Sequence, residues 1–167
     1  MPASLEQIVA RLAVLEDVEE IRRLKARYLR ACDLKHVEEV RDSFLPTGVR
    51  IAYQGFPEFT DRDAFVAVFQ DMACQPGVFD IHHATNADVE VTGPDTARGR
   101  WSLNFRTILT GPRQVTRLAV EYDDIYRRHE GRWWIAESVS TITSLLTEEI
   151  AEDGSTKVLA YGAPPAA

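Results

Sequence analysis

The run VFDIHHATNADVEVTGPDTARGRWSLNFRTILTGPRQVTRLAVEYDDIYRRHEGRWWIAESVSTIT, residues 78–143, decides how the chain is organised. It divides into four strand-like segments, roughly 78–92, 95–109, 113–127 and 132–143, separated by TGPDT, TGPRQ and RHEGR. Each separator is a turn signal. Long adjacent strands joined by short turns form an antiparallel meander.

The sequence before Gly77 has a different texture. Ser4 followed by Gln7 is a capping-box signal, and Leu5, Ile8, Leu12 and Leu15 form an apolar stripe on the first helix. A longer helical pattern follows, in which Ile21, Leu24 and Tyr28 share a face. A short helix, HVEEVRDSFL, is stopped by Pro46, and GVRIAYQGF reads as a strand ending in a Gly turn. Thr60 is placed to cap a fourth helix, DRDAFVAVFQDMA, with Phe65, Val68 and Phe69 on one side. Helices first and then a run of strands predict an α+β fold, with the helices on one face of the sheet. A strongly curved sheet around helices leaves a mouth in which a small molecule fits.

Composition narrows the function. The 167 residues, 45% of them hydrophobic, fit a single domain over residues 1–160, with 161–167 as a flexible tail. The net charge of -7 disfavours nucleic acid, and the basic runs RRLKAR and RRHEGR read as solvated faces. No apolar run is long enough to span a membrane, and the start MPASLEQIVARL lacks the pattern of a signal peptide, so the cytoplasm is the expected location. Cys32 and Cys74 are expected to be buried free thiols. No phosphate loop, metal-ligand spacing or nucleophile elbow is found, so the expected chemistry is cofactor-free and metal-free acid–base work.

Few residues suit that work. Tyr28 lies on the apolar face of its helix, Asp33 falls at the end of the same helix, and Tyr53 precedes a Gly turn. A carboxylate beside a histidine fixes its tautomer, and His titrates near neutrality. His82 and His83 are adjacent, so they face opposite sides of a strand. Plain alternation groups His83 with Phe79, Ile81, Val89 and Val91 and turns His82 outward. A single bulge would reverse that assignment on one side of it.

IRRLKARYLRACDLKHVEEV, RIAYQGF, HHATNADVEV with TARGRW, and EGRWWIAES together resemble the SnoaL-like branch of the nuclear transport factor 2-like superfamily, over roughly residues 15–150. The resemblance extends to scytalone dehydratase and bile-acid dehydratase. It implies a cone-shaped, cystatin-like α+β barrel, with N-terminal helices packed in a strongly curved, mostly antiparallel sheet. It implies that Tyr28, Asp33 and His82 form the catalytic group with Tyr53, and that His82 faces inward with an irregularity before Val89. Two departures stand out: Ile142 replaces an arginine of the bile-acid enzyme, and the place of a second active-site His is vacant or filled by Asn104, Arg106 or Thr107.

The implied function is a dehydratase acting on a small cyclic, polyketide-like or steroid-like β-hydroxy carbonyl compound. An isomerase or polyketide cyclase using the same base is the alternative, and a non-catalytic ligand-binding or assembly domain is a more distant one. Phe56, Phe69, His83, Asn86, Trp101, Tyr122 and Ile142 are the expected substrate contacts. The leucine stripe and the outer sheet face call for cover, which predicts a homo-oligomer, with a trimer favoured over a dimer.

Overall fold

A computed structural model describes residues 3–163. The first helix, α1 (Leu5–Leu34), is a single element of 30 residues and not two. No Gly or Pro interrupts it, so nothing breaks the backbone ladder where the apolar pattern changes. The capping box is present, with Gln7 N–H donating to Ser4 Oγ and Ser4 N–H donating to Gln7 Oε1. Only the second half of α1 is buried, through Ile21, Leu24, Lys25, Tyr28, Leu29, Ala31 and Cys32. The stripe of Leu5, Ile8, Leu12 and Leu15 is exposed. The helix ends on Lys35 in the left-handed conformation, whose N–H returns to the carbonyls of Ala31 and Cys32.

After α2 (Val37–Arg41) and β1 (Arg50–Tyr53) comes α3 (Arg62–Ala73). Asp61, not Thr60, caps α3: its extended backbone lets its carboxylate accept the N–H of Asp63. The meander is β2 (Val78–Gly93), β3 (Thr96–Leu109), β4 (Gln114–His129) and β5 (Arg132–Ile150), followed by β6 (Thr156–Gly162). The sheet runs β1-β5-β4-β3-β2, with β6 also paired to β5, and is curled but not closed. β1 pairs parallel to β5 and every other pairing is antiparallel.

The last strand runs through Tyr161 and Gly162, which the sequence assigns to a tail; residues 164–167 lie outside the described residues. The core joins the inner face of α1 to inward residues of every meander strand, among them Trp101, Leu103, Val120, Tyr122 and Ile135. Among the described residues no helix is long and apolar enough to cross a membrane.

Candidate active site

The curled sheet, the second half of α1 and α3 enclose a cavity of about 220 Å³. Tyr28 and Cys32 enter it from α1, and Phe65, Val68, Phe69 and Met72 from α3. Asp80 and His82 enter from β2, Leu103 and Phe105 from β3, Leu118, Val120 and Tyr122 from β4, and Ser140 and Ile142 from β5. Tyr53, Gln54, Phe56 and Phe59 complete the wall. Most of this lining is apolar, so the few polar groups stand out.

A bulge decides which histidine is inside. The β2–β3 register slips between Thr85 and Asp88, and Asn86 holds a left-handed φ of 50°. One extra residue on β2 switches the parity of the strand. Asp80, His82 and Ala84 therefore share the inner face with Ala87, Val89 and Val91. Alternation alone reads both halves in one phase and picks the wrong histidine.

Asp33 holds His82 in two places. Its Oδ1 lies 2.6 Å from His82 Nδ1, and its Oδ2 accepts the His82 backbone N–H at 3.2 Å. It does not cap α2, whose N-cap is His36. The Phe105 ring lies 4.7 Å from the imidazole, centre to centre. Two residues further round the same turn, Lys35 pairs with Asp80. The end of α1 is thus pinned to β2 by two neighbouring polar contacts, Asp33–His82 and Lys35–Asp80.

In the same cavity, the Tyr28 and Tyr53 hydroxyls are 2.9 Å apart. Burial, reinforced by Tyr53, raises the Tyr28 pKa well above the usual tyrosine value, and burial does the same for Tyr53. Burial pushes the Cys32 thiol up to about 12. All three groups stay protonated at neutral pH.

Three predicted contacts lie elsewhere. His83 faces the outer side of the sheet, beside Asn104, Arg106 and Arg117. Asn86 sits in the exposed bulge and donates to Ser102 Oγ. Trp101 is buried two positions beyond Leu103, where its indole N–H donates to Tyr126 at 3.1 Å and fills core instead of lining the cavity. Phe56, Phe69, Tyr122 and Ile142 do line it. Asn104 and Arg106 point outward, so neither occupies the vacant histidine's place.

The sequence reading missed the polar layer beneath the tyrosines. Lys25, read there as part of a solvated run, is 1% exposed. Its ammonium lies 2.7 Å from Asp124 Oδ2 without a well-aligned hydrogen bond, and 3.7 Å from the centre of the Tyr122 ring. Burial lowers the Lys25 pKa, against the opposing pull of Asp124. A signal existed: Lys25 falls four residues after Ile21 and three before Tyr28, and Asp124 lies between inward Tyr122 and Tyr126. Gln54 was missed too; its Oε1 accepts the Ile142 backbone N–H at 2.7 Å. Among the described residues, no three His, Cys, Asp or Glu side chains are grouped to hold a metal ion.

Comparison with known proteins places the fold. The model of the SnoaL-like domain matches residues 13–139, and the chain belongs to that family. It resembles a protein of Novosphingobium aromaticivorans provisionally named scytalone dehydratase, with 18% identity, a TM-score of 0.73, and 90% of this chain and 94% of that one covered. An NTF2-like protein with a cystatin-like fold from the same organism is 24% identical, with a TM-score of 0.71 and coverages of 85% and 92%. The hexachlorocyclohexane dehydrochlorinase LinA-type3 of Novosphingobium barchaimii is 17% identical, with a TM-score of 0.65 and coverages of 94% and 97%. At these identities the likeness shows the shared fold.

Proposed function

We propose that this SnoaL-like protein is a dehydratase, a cofactor-free carbon–oxygen lyase acting on a small cyclic or polyketide-like β-hydroxy carbonyl compound. The observation that carries the reading is the His82–Asp33 pair on a wall of an apolar cavity that also holds the Tyr28–Tyr53 pair. With Nδ1 engaged by Asp33, Nε2 is the nitrogen left to act as base. It removes the proton α to the carbonyl. Tyr28 and Tyr53 serve the oxygen of the developing enolate through a water that they hold. The imidazolium then returns the proton to the β-hydroxyl, which leaves as water in a syn elimination.

One structural neighbour is provisionally named a dehydratase and another is named a dehydrochlorinase. That kinship of reaction type supports a base-driven lyase over a passive binding domain.

The test is ultraviolet absorbance on mixing the protein with a panel of cyclic β-hydroxy ketones. An enone band is expected with wild type and His83→Ala and not with His82→Ala. A band that survives His82→Ala and is lost in His83→Ala would overturn the assignment. The exposed leucine stripe also supports self-association, expected as a trimer; sedimentation equilibrium gives the mass.

A further inference from the structure

A chain of hydrogen bonds runs from the cavity into the core. Beyond the Tyr28–Tyr53 contact at 2.9 Å, Tyr53 donates to Ser138 Oγ at 3.2 Å. Ser138 donates to Asp124 Oδ1 at 2.7 Å. Asp124 Oδ2 accepts from Tyr126 at 2.8 Å and faces the Lys25 ammonium at 2.7 Å. Ser138 and Asp124 are buried, out of reach of bulk water.

Counting protons fixes the direction of this chain. Asp124, ion-paired with Lys25, is an acceptor only. The single hydroxyl proton of Ser138 goes to Asp124, so its oxygen accepts from Tyr53. Tyr53 has then used its proton and accepts from Tyr28. The Tyr28 proton is committed as well. Tyr28 lines the cavity, so its oxygen has lone pairs and no free proton to offer there.

We propose that Lys25, Asp124 and Ser138 are positioning residues that make the tyrosine end of the cavity a hydrogen-bond acceptor, selecting a ligand O–H at that point. The O–H comes from a ligand hydroxyl, or from a water that passes a second hydrogen bond to a ligand carbonyl. The inference rests on the reading of this cavity as the substrate site, and it does not depend on which bond is broken there.

The experiment compares binding of 1-indanol and 1-indanone, measured by calorimetry on wild type, Ser138→Ala, Ser138→Thr and Tyr53→Phe. Ser138→Ala frees the Tyr53 proton, and Tyr53→Phe frees the Tyr28 proton. Each lets a tyrosine donate to a carbonyl. The alcohol-to-ketone affinity ratio is expected to fall roughly threefold to tenfold in both, the worth of one hydrogen bond. Ser138→Thr keeps the hydroxyl and should keep the wild-type ratio. If Ser138→Ala fails to fold, Tyr53→Phe, which touches no charge, decides alone.

A wild type that prefers the alcohol identifies the ligand hydroxyl as the donor; comparable binding of both compounds, with the ratio still falling in the variants, identifies water. An unchanged ratio in the variants overturns the inference, as does a cavity that binds neither compound. His82-dependent turnover with an unchanged ratio defeats the inference alone. A shifted ratio in a protein that never turns over a β-hydroxy ketone defeats the dehydratase reading alone.

Discussion

Asp33 grips His82 at both ends of its carboxylate, taking the ring Nδ1 at 2.6 Å and the backbone N–H of the same residue at 3.2 Å. The double contact fixes the imidazole's position and its tautomer. Asp33→Asn removes the charge and can present an N–H to Nδ1, which favours the wrong tautomer. On the proposed mechanism, kcat is expected to fall about 10²- to 10⁴-fold, with the fold intact by circular dichroism. A variant within a factor of about two of wild type would remove Asp33 from the mechanism.

The polar layer behind the tyrosines makes its own prediction. Lys25→Met leaves Asp124 buried without its counter-charge and should cost about 3–5 kcal/mol in urea denaturation. Adding Asp124→Asn removes the stranded charge and keeps an acceptor oxygen for one of Ser138 and Tyr126, so stability should partly return. Additive losses in the double variant would mean that the two residues act independently.

Alkaline stability follows from the tyrosines. Burial raises the pKa of Tyr28, Tyr53, Tyr122 and Tyr126 in the folded state. The unfolded chain therefore loses these protons first, near the ordinary tyrosine pKa of about 10. Their contribution to stability is fully present below that pH and is lost as the pH rises through the folded values. Absorbance of tyrosinate should show these four ionising in one step that coincides with unfolding by circular dichroism. Tyrosinate from the four appearing in a folded protein would contradict their burial.

The two thiols should differ in reach. Cys32 is buried in the cavity wall with a pKa of about 12, so its thiolate fraction at pH 8 is on the order of 10⁻⁴. Cys74 is raised by burial too, but it is only partly covered. Iodoacetamide should label Cys74 in the native protein and Cys32 only after unfolding, as read by peptide mass spectrometry. Equal native rates would refute this.

The legible and illegible parts of the sequence differ in the range of the signal they leave. The meander and the inner faces of α1 and α3 repeat along the chain, so periodicity finds them. The β6 strand leaves no such trace because every residue from Thr156 to Gly162 is exposed, and a strand with no buried face has no alternation to read. Lys25 and Asp124 each lie on a readable face, yet their partnership joins residues 99 positions apart. Local reading took Lys25 with its exposed neighbours Arg22, Arg23 and Arg27. The choice between His82 and His83 turned on a backbone event four residues away, of which Asn86, tolerant of the left-handed region, was the only local hint.

That hint yields the sharpest structural prediction. Asn86 has φ of 50°, and it provides the extra residue that lets His82 and Val89 share the inner face. Asn86→Gly meets no steric cost there and should leave thermal stability within about 0.5 kcal/mol of wild type. Asn86→Val forces a β-branched residue into the left-handed region and should cost about 1–2 kcal/mol. Deleting Asn86 restores strict alternation, so either His82 or the Val89–Val91 segment must turn to the outer face. The cavity would then lose its histidine or the core its valines. The expected result is loss of the His82–Asp33 pair, read as the disappearance of its downfield imidazole N–H resonance, with a lowered melting temperature. A deletion variant that keeps both the resonance and the melting temperature would show that the bulge does not set the facing of His82.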